Sequence, residues 1–197
     1  MAERKVVYFE KSGAQNTEKT LEFSGEIAAQ ENINYIVIAT GGSTLLKAAE
    51  MFEEKEWDDV TLIGVTLQAG TWEKYGEPDW EKLDKAKKLG AKTLTPTHAL
   101  MGNVESSIKE KFGGLPPVEL IAHTFYTFSQ GTKVAVEIAM NAVDAGLIPA
   151  GEKIIAIGGD GGGADTSLML KAVSTVDFFD LRIHEVLCKP RVNQENI

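Results

Sequence analysis

Hydrophobic positions along the chain fall into short unbroken runs, separated by stretches in which they recur at helical spacing. Val6-Val7-Tyr8-Phe9 reads as a strand, a polar loop follows from Lys11 to Asn16, and Thr17 caps a helix running to about Glu31. That helix turns Leu21, Ile27 and Ala28 to one side, together with Ser24 and Glu31. Tyr35 to Ala39 is an uninterrupted apolar run of the kind found in a central parallel strand. A Gly-Gly turn then opens a helix from Ser43 to about Glu54, with Leu45, Leu46, Ala49 and Phe52 available for burial. Val60 to Leu67 predicts a third strand, Gln68 to Pro78 an irregular stretch, and Asp79 to Lys88 a charged helix ended by Gly90. Lys92 to Thr95 is a short strand and Val104 to Phe112 a helix, after which Gly113-Gly114 and Pro116-Pro117 interrupt the chain.

The clearest helix spans Gly131 to Ala145, where Val134, Ala135, Ile138 and Ala142 share a face. Gly146 closes it and Pro149 prevents its continuation. Ile154 to Ile157 is another buried strand, Leu168 to Val173 and Arg182 to Cys188 are late strands, and the tail after Pro190 is polar. Strand and helix alternate without a linker, so the expected architecture is one α/β domain over residues 1–197. Its mostly parallel sheet is flanked by helices. Ligands in such folds sit beyond the carboxyl ends of the strands. The turns after Phe9, Ala39, Leu67 and Ile157 are therefore the places to look for chemistry.

Three of those turns are rich in glycine, hydroxyl or amide groups. Thr40-Gly41-Gly42-Ser43-Thr44 follows a buried strand and opens a helix, so unpaired amides and two or three hydroxyls face outward, as an anion site requires. It is neither a P-loop nor a GxGxxG fingerprint, and a plain tight turn with Ser43 as N-cap fits the same residues. In Gly158 to Thr166, five of the six residues from Gly158 to Gly163 are glycine (Gly158, Gly159, Gly161, Gly162 and Gly163), a costly density for a purely structural loop. Asp160 and Asp165 do not suit direct phosphate contact and are instead candidate partners for ligand hydroxyls, a cation or the backbone, and Thr166 is a further candidate. Ser12, Gly13, Asn16 and Thr17 end the first strand, Thr66 and Gln68 the third, and Gly131 and Lys133 open the long helix, giving further candidates. Phe125, Tyr126 and Phe128 either flank a ring system or belong to the core.

A formal charge of −9 argues against a nucleic-acid partner and against an anionic membrane surface, while leaving a small phosphorylated ligand open to local backbone amides. No stretch approaches the roughly 20 apolar residues of a membrane span. The start, Met1-Ala2-Glu3-Arg4-Lys5, has no signal-peptide core, and the lone Cys188 fits a reducing compartment, so a cytoplasmic location is expected. His98, His123 and His184 have no metal-ligand spacing, and no catalytic acid or base stands out.

At the two glycine-rich turns the chain resembles the C-terminal α/β domain of pyruvate kinase, where a strand-turn-helix binds the sugar phosphate of an effector. The matching segments are Ile36 to Thr44 and Gly151 to Gly159. The catalytic domains of that enzyme have no counterpart here, so kinase activity is not implied. Over nearly its whole length the chain also resembles a small family of stand-alone archaeal and bacterial proteins of that fold. The likeness is carried by Asn16-Thr17, Gly41 to Thr44, His98-Ala99-Leu100, Phe112-Gly113-Gly114, Glu119 to Ala122, Asp144 to Ile148, Gly158-Gly159, Gly163 to Thr166, Phe178 to Asp180 and Cys188 to Arg191. Members are associated with bound flavin mononucleotide (FMN), so the resemblance implies an FMN-binding protein, with a flavin-dependent oxidoreductase as its enzymatic form. The alternative is a non-catalytic sensor of a sugar phosphate or nucleotide. Pyruvate kinase C-terminal domains pack against one another, which implies a homo-oligomer, with Arg182 to Cys188 as a candidate edge.

Overall fold

The computed structural model describes residues 3–191; Met1, Ala2 and the polar tail from residue 192 lie outside the described residues. The extended runs form seven strands: β1 (Val7–Phe9), β2 (Tyr35–Ala39), β3 (Thr61–Val65), β4 (Lys92–Leu94), β5 (Lys153–Gly158), β6 (Thr166–Lys171) and β7 (Arg182–Pro190). The helices are α1 (Thr17–Glu31), α2 (Ser43–Glu54), the single turn α3 (Trp72–Tyr75), α4 (Trp80–Lys88), α5 (Val104–Phe112), α6 (Pro117–Tyr126) and α7 (Gln130–Asp144). The interruption expected at Gly113-Gly114 and Pro116-Pro117 separates α5 from α6, and α6 itself is a helix the hydrophobic pattern did not announce. Pro116 is its N-cap and Pro117 its first residue, where the missing N–H is harmless and the fixed φ favours a helical start. Among the described residues, no helix is long and apolar enough to cross a membrane.

All seven strands join one sheet in the order β1-β7-β6-β5-β2-β3-β4. The expectation of a mostly parallel sheet is corrected to a mixed one. The pairs β1/β7, β2/β5, β2/β3 and β3/β4 are parallel, whereas β6 runs against both β5 and β7. The reason lies in the connection from β5 to β6: residues 159–165 are shorter than the roughly dozen that a parallel crossover needs. Strand β7 is interior, so it does not offer the exposed edge expected of it; β1 and β4 are the edges.

Both faces of the central strands are buried, and alternate residues serve different cores. Ile36, Ile38, Ile155 and Ile157 pack with Leu21 of α1, Leu45 and Phe52 of α2 and Leu83 of α4. Val37, Ile63, Ile154 and Ala156 pack with Ala135, Ile138 and Ala142 of α7. Cys188 is fully buried, its Sγ 3.8 Å from Thr20 Oγ1, and burial pushes the thiol up to about 12.

From β2 the chain winds outward through β3 and β4, then returns through α5, α6 and α7 to place β5 on the other side of β2. The order therefore reverses between β2 and β5. Such a reversal opens a crevice at the carboxyl ends of the strands.

Candidate functional site

A cavity of about 650 Å³ occupies that crevice, bordered by the ends of β2 and β3, the loop after β5, and the first turns of α7. Its volume lies within the roughly 300–1,000 Å³ typical of small-molecule sites.

The α2 turn forms one wall. Thr40 Oγ1 accepts from the amides of Gly42 (2.8 Å) and Leu45 (3.2 Å), so Thr40, and not Ser43, caps the helix. Ser43 is exposed, accepts a hydrogen bond from Lys82 Nζ at 3.1 Å, and does not border the cavity. Gly42 has φ 123°, and a Cβ there would lie 2.9 Å from the Asp79 carbonyl, so local packing alone requires this glycine. Thr40, Gly41 and Thr44 do line the cavity. Among the described residues, the amides of Gly41, Ser43 and Thr44 make no hydrogen bond. Those are the groups a helix start leaves for an anion.

The glycine loop forms a second wall, but most of its glycines answer to the protein itself. A Cβ on Gly158 would meet the Gly131 carbonyl at 2.4 Å, one on Gly159 the Gly163 carbonyl at 2.0 Å, and one on Gly163 the Ala14 Cα at 2.3 Å. Gly131 is equally constrained, for a Cβ there would lie 2.4 Å from Thr166 Oγ1, and α7 is thus seated directly on the end of β5 and the start of β6. Gly161 and Gly162 instead adopt positive φ, 69° and 93°. Gly159, Gly161 and Gly163 nonetheless border the cavity.

Asp165 is fully buried and committed to the chain. Its Oδ2 accepts from Gly13 N at 2.8 Å and its Oδ1 from Thr166 Oγ1 at 2.8 Å. Burial, helped by the charge of Asp160, holds its carboxyl above the ordinary value despite those bonds. Thr166 Oγ1 continues the network to Ser129 Oγ (3.0 Å), and Ser129 caps α7 by accepting from Thr132 N.

The third wall brings together three ionisable side chains that are almost wholly buried. Lys133 and Glu137 are one turn apart on α7, with Nζ and Oε2 separated by 2.6 Å. His98 Nδ1 lies 3.2 Å from the same Oε2, yet at an angle that leaves this nitrogen without a well-directed hydrogen bond. His98 Nε2 faces the Thr66 carbonyl at 3.0 Å. Glu137 Oε1 accepts from the Leu100 amide at 2.5 Å. Burial opposes the charged form of Glu137, but the contact with His98 and the charge of Lys133 outweigh it and hold the carboxyl below its ordinary value. Gln68 positions this wall by accepting from His98 N and donating to Asn103. Tyr75 and Tyr126 complete the lining, and burial, with the Glu137 charge second, holds the Tyr126 phenol above its ordinary value.

Of the residues singled out by sequence, Thr40, Gly41, Thr44, Lys133, Gly159, Gly161 and Gly163 meet around one cavity. Ser12, Gly13, Asn16 and Thr17 do not reach it. Gly13 binds Asp165, Thr17 Oγ1 accepts from Ala164 N, and Ser12 bonds to Asp160, so this loop buttresses the glycine loop from behind. Gly42, Ser43, Thr66, Gln68, Gly131, Gly158, Asp165 and Thr166 likewise stand outside the lining, with Thr66 Oγ1 paired to Thr95 Oγ1 at 2.7 Å. His98 and Glu137 were missed as site residues. The signal was present: Lys133, Glu137 and Asn141 recur every fourth residue along a helix whose other positions are largely apolar, and all three are buried. No protein-family model matches the chain.

Proposed function

We propose that the cavity binds a phosphorylated small molecule, FMN first among them, with the phosphate at the α2 turn and the ring toward Tyr75 and Tyr126. In the same reading the fold is that of the pyruvate kinase C-terminal domain. The observation that carries the proposal is the set of amides at Gly41, Ser43 and Thr44, without partners among the described residues, at a helix start whose Gly41 and Thr44 line a cavity at the β2/β5 reversal. The residues present suit FMN: a helix start and the Thr44 hydroxyl for the phosphate, two aromatic side chains for the ring, and glycine backbone along the β5 loop for close approach. Bound FMN would supply hydride or single-electron transfer. The chain's own part is to hold the phosphate, orient the ring and shield it from water.

Charge-assisted hydrogen bonds contribute roughly 1.5–3 kcal/mol each, so even one that survives desolvation favours FMN over riboflavin by about tenfold or more. Flavin fluorescence titration of the protein with FMN and riboflavin tests this. Equal affinities would remove the phosphate site, and a sugar phosphate that displaces FMN at lower concentration would favour the sensor reading. Self-association belongs to the same proposal, supported by Val104, Ile108 and Phe112, four residues apart on α5 and all exposed. Light scattering should return a mass above the 21.4 kDa of one chain.

A further inference from the structure

Helices α2 and α7 pack on opposite faces of the sheet, so Thr44 and Lys133 reach the cavity from opposite sides. Lys133 also borders a second recess of about 230 Å³ beside α5 and α6, which the α2 turn does not touch. It therefore stands at the end remote from the amide cluster. Among the described residues it is the one lysine or arginine in the wall of the larger cavity. Only 4% of its surface is exposed, and its neighbours on α7, Val134 and Ile138, are apolar. Burying an ion pair at such a position is no cheaper than filling it with apolar side chains. Glu137 takes one of the three ammonium N–H donors, which leaves two for another acceptor. The buried Nδ1 of His98, without a well-directed hydrogen bond, lies in the same wall.

We propose that Lys133 is a specificity-determining contact. It receives an electron-rich oxygen or nitrogen at the end of the ligand remote from the phosphate, so the cavity selects phosphate esters that carry a second acceptor group. In FMN that group is the carbonyl-bearing pyrimidine edge. The inference rests on the phosphate-ester reading above and adds the second end of the ligand to it. Glu137 is a positioning residue that fixes the ammonium.

The test compares wild type with K133M, with K133R, and with the double variant K133M/E137M, which leaves no carboxylate unpaired and so guards against misfolding. Circular dichroism checks each fold, and calorimetry measures FMN, riboflavin and methyl phosphate. In K133M/E137M, FMN and riboflavin should both weaken by at least about tenfold, methyl phosphate should change by less than about twofold, and K133R should recover part of the loss. Unchanged FMN affinity, or equal weakening of methyl phosphate, overturns the inference while leaving the FMN reading in place. Failure of wild type to bind FMN removes that reading instead. The inference is then decided by 1,4-butanediol bisphosphate, whose advantage over methyl phosphate must vanish in the double variant. No such advantage in wild type also overturns it.

Discussion

The chain has two glycine-rich turns after buried strands, and the structure treats them in opposite ways. In Thr40 to Thr44 the amides of Gly41, Ser43 and Thr44 remain without partners among the described residues, and Gly41 has open space where a side chain would begin. In Gly158 to Thr166 three glycines are pressed against other backbone, and the acidic residue that follows is bonded to Gly13 and Thr166. Glycine density therefore reports close approach of another backbone, and a ligand is only one of the things that approach. Unpaired donors are the more specific sign of a binding turn.

The sharpest way to break this contrast is to add a methyl group to each turn. Gly159→Ala forces a Cβ to within 2.0 Å of the Gly163 carbonyl and should cost about 1–3 kcal/mol, seen as a lower midpoint in thermal unfolding. Gly41→Ala meets nothing within 4 Å and should stay within about 0.5 kcal/mol of wild type. Equal losses in the two variants would erase the distinction.

Ligand preference comes next. Thr44→Ala should narrow the FMN-to-riboflavin affinity ratio by roughly tenfold, the equivalent of one hydrogen bond to a charged group, whereas Ser43→Ala should leave it unchanged. A larger effect from Ser43 would place the phosphate on the outer side of α2. Of comparable size is the cap: Thr40→Val removes the oxygen that holds the amides of Gly42 and Leu45 and should cost about 0.5–2 kcal/mol in urea unfolding, with Ser43→Ala near neutral.

The two regions also differ in how acid affects them. Asp165, raised by burial above its ordinary 3.8, binds its proton more tightly folded than unfolded. Its contribution to stability is full below 3.8 and declines as pH rises through the raised value. Glu137, held below its ordinary 4.5, contributes stability that is present above 4.5 and is lost as pH falls through the lowered value. Stability measured against pH should therefore change slope in opposite directions in Asp165→Asn and Glu137→Gln. Slopes that change together would show that the carboxylates do not sit in opposed environments.

Much of the framework was legible because local pattern and tertiary role agree. Tyr35 to Ala39 is apolar throughout, for both faces of β2 are covered, and α2 and α5 begin and end where composition places them. Helix α6 was hidden because Pro116-Pro117 reads equally as a break and as a helix start, and only the packing of Val118 and Ile121 selects the second. The reversal of β6 was legible in loop length but not in its apolar run, which looks alike in either direction. Within the site, sequence found the strand ends but not which side chains face inward. His98 arrives from a loop after β4 and Glu137 from mid-helix, and only the return of α7 to the sheet brings them together.

The burial of Cys188 has a practical use. A thiol raised to about 12 and wholly covered is protected from alkylating reagents in the native state, and of its two strand partners, Ser167 of β6 and Val7 of β1, the second belongs to a three-residue edge strand. The rate at which such a reagent modifies the intact protein then counts how often this edge opens. One natural cysteine thus serves as a built-in clock for local unfolding, with no label to introduce and no other sulfhydryl to confuse the signal.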